Sequence, residues 1–227
     1  MERAVSTPLE LLGMLARQEV DLAPGLRHVE VYTREGLLTI LWHGPADAEA
    51  VVVTCGGAMG SLLGPARGLY HDLGLLLADD GIATLRVGYR VPNDLPSCVV
   101  DVASAVQLAA EAGGDRFVVI GHSFGGAVAV QVGVALSEHV AGVVTLATQS
   151  AGCEAAAGLA GRPLLLLHGD ADELLPPMCS DVVAAMAGGG EVVVLGGTGH
   201  LMTQAAGEVR ERLLRWIPSV LRAVPPA

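Results

Sequence analysis

The most informative stretch of the sequence runs from Phe117 to Ala127 and contains Ser123 within the letters GHSFGG. The apolar run before the serine suits a buried parallel strand, and the apolar run after it suits a buried helix. Gly121 and Gly125 bracket the serine, as a sharp strand-to-helix turn requires, because a Cβ at either place would crowd the neighbouring backbone. A serine presented in this way is a candidate nucleophile, and a small turn residue without chemistry is the alternative interpretation.

Two later loops carry groups that could activate this hydroxyl. His200 ends the glycine-rich segment 196–200, directly after the last predicted strand, and is a candidate general base. The acidic segment after the preceding predicted strand offers Asp170 and Asp172, either of which could accept the second ring proton of the histidine. Since reactive groups of an open parallel sheet gather beyond the carboxyl ends of its strands, we expect these loops to meet Ser123.

An acyl-transfer site also needs backbone donors for the negative charge that develops on the substrate oxygen. The N–H of Phe124, at the start of the helix after the serine, is one predicted donor. The second is predicted in the loop 55–60, where glycines let the backbone face a substrate. We favour Gly57, with Ala58 close behind, and an ordinary glycine turn is the alternative interpretation of this loop.

Alternating apolar segments predict a three-layer α/β fold, whose mostly parallel sheet of about eight strands opens with an antiparallel hairpin. The predicted strands are 27–34, 37–43, 51–54, 82–86, 117–120, 140–146, 164–167 and 192–195. The predicted helices are 65–80, 97–112, the segment after residue 123, 178–187 and 205–221. Leucines at 9, 11, 12 and 15 predict an N-terminal helical extension over residues 1–26. We see no repeat or linker, so residues 1–227 are predicted to form one domain.

The formal net charge is −11, and all 13 basic residues are arginine, which excludes Schiff-base and other lysine chemistry. We expect no nucleic-acid or membrane partner, because phosphate binding needs clustered basic residues and no apolar run reaches the ~18 residues of a membrane span. The N-terminus lacks the pattern of a secretory signal. We therefore expect a cytoplasmic protein, monomer or homodimer, that acts on a small-molecule acyl substrate.

No cofactor and no metal are expected, because the candidate nucleophile, base and acid are all side chains. A metal site made of His168, Asp170 and Asp172 is an alternative, but no second histidine cluster supplies further ligands. The four cysteines lie far apart without a C-x-x-C pair and are predicted to be buried free thiols: Cys55, Cys98, Cys153 and Cys179.

From about residue 27 onward the sequence resembles the α/β-hydrolase superfamily. The segments GHSFGG, HGDADELLP and GTGH match its motifs, and the order Ser123, Asp172, His200 matches its nucleophile–acid–base order. The resemblance therefore favours Asp172 over Asp170 as the acid. Only residues 147–162 separate two strands between which many members insert a helical cap, so the chain resembles the capless dienelactone-hydrolase and small-carboxylesterase types. It departs from the family at Cys55, where a His-Gly pair is usual.

The resemblance implies a serine hydrolase that cleaves small carboxylic esters through an acyl-enzyme intermediate, with thioesters and lactones as neighbouring substrates. The alternative is a non-catalytic protein of this fold that binds a small molecule or a partner, since one fold hosts many functions. An intact Ser-His-Asp set counts against that alternative. Residues on loops at the same sheet edge are the candidate pocket walls: Met59, Leu62, Leu63, Thr148, Gln149, Ser150 and Met202.

Overall fold

The computed structural model of the protein describes residues 6–223, and a nine-stranded sheet forms its centre. The spatial order of the strands is β1-β2-β3-β5-β4-β6-β7-β8-β9. Strands β4 to β9 run parallel, whereas the pairs β1–β2, β2–β3 and β3–β5 are antiparallel. The bounds are β1 Met14–Ala23, β2 Leu26–Thr33, β3 Gly36–His43, β4 Ala50–Cys55, β5 Ala83–Gly88, β6 Arg116–His122, β7 Val140–Leu146, β8 Leu164–Gly169 and β9 Glu191–Leu195.

Helices cover both faces of the sheet, because the central parallel strands are apolar on both sides. Helices α3, α4 and α5 pack on one face, and α2 and α6 pack on the other. The bounds are α1 Pro8–Leu12, α2 Pro65–Ala78, α3 Leu95–Glu111, α4 Phe124–Ala135, α5 Met178–Met186 and α6 Ala206–Arg222. None of the helices within residues 6–223 combines the length and the apolar composition needed to cross a lipid bilayer.

The connection between β7 and β8 contains one short 3₁₀ helix, Glu154–Leu159, and no further element. Among the described residues, therefore, no cap domain covers the carboxyl edge of the parallel strands, as predicted. The α/β architecture, the mostly parallel sheet and the antiparallel hairpin at its start are also confirmed.

The predicted helical extension over residues 1–26 is wrong for most of its length. Helix α1 ends at Leu12, because the next residue, Gly13, has a left-handed φ of 65° that suits glycine and stops the helix. Residues 14–23 then form β1 and pair with β2, so the sheet has nine strands rather than eight. The leucine spacing favoured a helix, but pairing with β2 gives the backbone its hydrogen bonds while the β1 side chains stay exposed. Residues 1–5 lie outside the described part of the chain.

Candidate active site

Ser123 lies between β6 and α4 with φ 55° and ψ −118°. A left-handed φ is costly for a residue with a side chain and persists only where the surroundings hold it. Here a Cβ at Gly121 would overlap the carbonyl of Gly125, and a Cβ at Gly125 would overlap the carbonyl of Gly56. The two glycines let three backbone segments approach closely, and the predicted sharp turn with the serine at its tip is present.

Asp172 and His200 are in direct contact, with His200 Nδ1 2.8 Å from Asp172 Oδ2. The other carboxylate oxygen accepts the backbone N–H groups of Leu174 and Leu175 at 2.9 Å each. Burial raises the pKa of Asp172, but the hydrogen bonds from Leu175, His200 and Leu174 outweigh it and the pKa is lowered overall. An ionised carboxylate at Nδ1 keeps the ring proton on that nitrogen, so Nε2 is the atom that can accept a proton.

The second acidic candidate, Asp170, makes a different contact. Its Oδ1 accepts the backbone N–H of Gly197 at 2.6 Å, so this exposed carboxylate braces the backbone of the loop that carries His200. Asp172 therefore contacts the imidazole ring of His200, whereas Asp170 stabilises the backbone of the loop on which His200 lies.

His122 ties the serine turn to the histidine loop. Its Nε2 lies 3.0 Å from the backbone carbonyl oxygen of His200, and the two rings are 4.9 Å apart. Burial lowers the pKa of His122 to about 4, so the ring is neutral near pH 7 and its Nε2–H donates to that carbonyl. Ser123 and His200 both line the cleft described below, and this hydrogen bond joins their supporting backbones.

His168 is fully buried behind Asp172. Its Nε2 lies 3.0 Å from the carbonyl oxygen of Leu175 and 3.3 Å from Asp172 Oδ2, and its Nδ1 lies 2.8 Å from Ser180 Oγ. Both groups at Nε2 are acceptors, so that nitrogen carries the proton and directs it towards the carboxylate. Burial lowers the pKa of His168, which keeps the ring neutral. Within residues 6–223, no three His, Cys, Asp or Glu side chains are arranged to hold a metal ion.

The loop after β4 lies against the serine turn. A Cβ added to Gly57 would contact the Cβ of Ser123 at 3.6 Å, so this glycine is the neighbour of Ser123 across the cleft. The Gly57 carbonyl accepts the N–H of Gly60 at 2.9 Å, which closes a tight turn with Met59 at its tip. Phe124, the other predicted donor, is the first residue of α4, where N–H groups have no partner within the helix.

These loops enclose a cleft of about 320 Å³ at the carboxyl edge of the parallel strands. No aspartate, glutamate, lysine or arginine lines it: the lining residues are 56–61, 64, 65, 122, 123, 174, 200 and 201. Three apolar side chains at its edge are largely exposed, namely Met59 at 93%, Leu174 at 72% and Leu201 at 62%. We call these three residues the apolar rim.

Of the predicted pocket walls, Met59 alone lines the cleft. Met202 is fully buried in the core on the α2 and α6 face, and its side chain does not line the cleft. Leu62 lies near Gly88, and Gln149 donates its side-chain N–H to the Ala151 carbonyl. The remaining predicted walls are also outside the lining set: Leu63, Thr148 and Ser150. Leu174 and Leu201 were missed, because they adjoin Asp172 and His200 on loops without any periodic pattern.

The cysteines do not contribute a nucleophile to this cleft. Burial raises the pKa of Cys55 to about 12, and the pKa values of Cys98 and Cys153 are raised to about 12 for the same reason. All four are free thiols; three are buried as predicted, whereas Cys179 is partly exposed.

No protein-family model and no curated protein matches this sequence. Solved structures match the fold over most of their length. A dienelactone hydrolase from Anabaena variabilis is 18% identical, covers 91% of this chain and 99% of its own, and superposes with a TM-score of 0.75. Est1E from Butyrivibrio proteoclasticus is 15% identical, covers 84% of this chain and 99% of its own, and superposes with a TM-score of 0.70. An alpha-beta serine hydrolase homologue from Coxiella burnetii is 20% identical, covers 83% of this chain and 95% of its own, and has a TM-score of 0.67. The chain has the α/β-hydrolase fold, in its capless form.

Proposed function

We propose that this protein is a serine hydrolase that cleaves small, uncharged carboxylic esters. The observation that carries the proposal is the Asp172–His200 hydrogen bond of 2.8 Å beside a cleft that His200 shares with Ser123. A binding protein has no need for a buried carboxylate that fixes the tautomer of an imidazole next to a strained serine.

In the proposed reaction, Ser123 Oγ attacks the ester carbonyl carbon while His200 Nε2 takes the hydroxyl proton. The backbone N–H groups of Phe124 and Gly57 stabilise the oxyanion of the tetrahedral intermediate. Collapse expels the alcohol, which leaves with the proton from His200, and an acyl-enzyme remains. Water then attacks the acyl carbon by the same route and releases the acid, restoring the Ser123 hydroxyl. Asp172 stays ionised throughout and stabilises the imidazolium.

The cleft also supports a substrate class. Its lining residues include no arginine, so a free carboxylate on the acyl group would lose its hydration without gaining a partner. The net charge of −11 further disfavours anionic substrates. The apolar rim offers a surface for a short alkyl or aryl acyl group. Among the structural neighbours, Est1E has been solved with ferulic acid bound, and the curacin pathway neighbour is a thioesterase domain. Aryl esters and thioesters therefore belong in the same test.

The test is labelling with a fluorophosphonate probe together with hydrolysis of p-nitrophenyl butyrate. We expect labelling and turnover by the natural protein and the loss of both in Ser123→Ala. Ser150→Ala is the matched control, because Ser150 follows β7 at the same sheet edge but lies outside the cleft lining. An ester of succinate should react at least about tenfold more slowly in kcat/KM than the butyrate ester, since burying an unpaired charge is costly.

Several outcomes would contradict the proposal. A natural protein that is neither labelled nor active, or a Ser123→Ala variant that keeps its activity, would remove Ser123 from the chemistry and favour the binding-protein alternative. Activity that EDTA abolishes and that zinc restores would favour a metallohydrolase.

A further inference from the structure

The carbonyl of Gly56 is held on two sides inside the protein. Tyr89 Oη donates a hydrogen bond to it at 2.9 Å, and the Tyr89 side chain is buried. On another side the carbonyl lies so close to Gly125 that an added Cβ there would overlap it. The peptide unit between Gly56 and Gly57 therefore cannot rotate without losing a buried hydrogen bond or colliding with α4.

This restraint fixes a particular N–H group. A trans peptide is planar, and its N–H points opposite to its carbonyl. Since the Gly56 carbonyl points inward to Tyr89, the N–H of Gly57 points the other way, to the side on which Gly57 lines the cleft and pairs with Gly60. Gly57 is the residue whose added Cβ would contact Ser123.

We propose that Tyr89 is a positioning residue that aims the Gly57 N–H at the substrate oxyanion. The inference rests on the proposed hydrolase function and deepens it. Tyr89 does not contact the reacting atoms; it acts through the Gly56–Gly57 peptide. Its ring also packs edge to face on Phe124, with the ring centres 6.2 Å apart. Tyr89 therefore contacts one proposed donor residue directly and, through the Gly56 carbonyl, the peptide that carries the other donor. Burial raises the pKa of Tyr89, so the hydroxyl stays protonated and remains a donor throughout the working pH range.

The chain offers a matched control in Tyr70. Its hydroxyl donates to the Cys55 carbonyl at 2.8 Å, and the side chain is fully buried. That carbonyl belongs to the preceding peptide, whose N–H is that of Gly56 and not of Gly57. Replacing either tyrosine with phenylalanine removes one buried hydrogen bond to a carbonyl of the segment 55–56. Only Tyr89→Phe removes it from the peptide that carries the Gly57 N–H.

The experiment compares Tyr89→Phe and Tyr70→Phe with the natural protein on p-nitrophenyl butyrate, with thermal unfolding measured on all three. For Tyr89→Phe we expect kcat to fall about tenfold with KM unchanged, because a misaimed donor weakens transition-state binding only. The affinity for an alkyl trifluoromethyl ketone, whose adduct carries an oxyanion, should fall by a similar factor. For Tyr70→Phe we expect both constants to stay within about twofold, although its unfolding temperature falls as well.

A natural protein that is inactive and unlabelled overturns the proposed function and this inference with it. An active protein whose Tyr89→Phe variant keeps its kcat overturns the inference alone, and so do equal losses of kcat in both variants. If Tyr89→Phe does not fold, 3-fluorotyrosine is incorporated at position 89 or 70 instead, which strengthens the donated hydrogen bond. A change in kcat at position 89 alone supports the positioning role, and no change or equal changes at both positions overturn it.

Discussion

Asp172 has more N–H groups around its carboxylate than Asp170, the other acidic candidate of the site. Two backbone N–H groups bind one of its oxygens, and the rings of His200 and His168 approach the other at 2.8 and 3.3 Å. A carboxylate that accepts several N–H groups is stabilised in its charged form, which offsets the cost of burial. An anion held there in one orientation fixes which nitrogen of His200 carries the proton.

This arrangement predicts different results for two neighbouring carboxylates. Asp172→Asn should lower kcat about 10³- to 10⁴-fold, because a neutral amide no longer fixes the His200 tautomer or stabilises the imidazolium. Asp170→Asn should cost less than about fivefold, because the amide oxygen can still accept the Gly197 N–H. Both variants are measured on p-nitrophenyl butyrate with stability checked by urea unfolding. A larger loss in Asp170→Asn would contradict the assignment.

Sequence motifs predicted that Asp172 contacts His200 and that Ser123 lies near His200, but they did not predict the side-chain contacts that support this arrangement. The motif order named Ser123, Asp172 and His200, and the structure brings the last two into contact and puts the first in the same cleft. The hydrogen bond of His122 to the His200 backbone joins residues 78 positions apart, and no local pattern encodes it. The same holds for His168, whose approach to Asp172 depends on the conformation of the loop after β8.

Among the elements, the turn between β6 and α4 and the loop after β4 are built against each other. Cys55 lies at the end of β4, and its thiol approaches the carbonyls of Ile120 and Gly125 at 3.6 and 3.5 Å. Glycine at 121 and 125 leaves room for these backbones to meet. The strained serine is therefore held by backbone packing rather than by its own side chain.

We predict that Gly121→Ala is among the most damaging single-methyl additions in the protein. The new Cβ would meet the Gly125 backbone, which cannot move without displacing α4, so the variant should lose about 3 kcal/mol of unfolding free energy and most of its activity. Gly207→Ala is the control, because nothing lies within 4 Å of the added Cβ in helix α6. The unfolding free energy of that variant should stay within about 0.5 kcal/mol of the natural protein. Urea unfolding checks both, and a tolerated Gly121→Ala would contradict the packing argument.

Most element bounds could be predicted because buried strands and helices have strong apolar patterns. The predicted strand 140–146 matches β7 at both ends, and the other predicted strands differ from the observed bounds by at most two residues at either end. Strand β1 was missed because its side chains are exposed, so no apolar alternation distinguishes it. The cleft walls were largely missed for a different reason: which loop side chains face the cleft depends on tertiary packing.

Two of the buried histidines, His43 and His122, have lowered pKa values, and this makes the unfolding free energy of the whole molecule depend on pH. Burial lowers the pKa of His43 from the ordinary 6.5 to about 4, with smaller contributions from Arg86 and His71. His122 is likewise lowered to about 4. As pH falls below 6.5, the unfolded chain binds protons at these positions and the native protein does not until about pH 4, so the unfolded state is favoured. The stability is fully present above about pH 6.5 and is lost as pH falls towards 4.

His43 provides the clearest test, because it lies in the core at the end of β3, away from the cleft. Within the described residues its Nε2 is buried without a hydrogen-bond partner, so leucine removes an unsatisfied polar atom as well as a titrating group. The natural protein should lose on the order of 2 kcal/mol of unfolding free energy at this position between pH 7 and pH 5, and His43→Leu should not. His139→Gln, a change at an exposed histidine, is the control and should keep the natural pH dependence. Urea unfolding of the three proteins at several pH values measures the difference. Parallel pH curves for His43→Leu and the natural protein would mean that the native fold does not lower the pKa of His43.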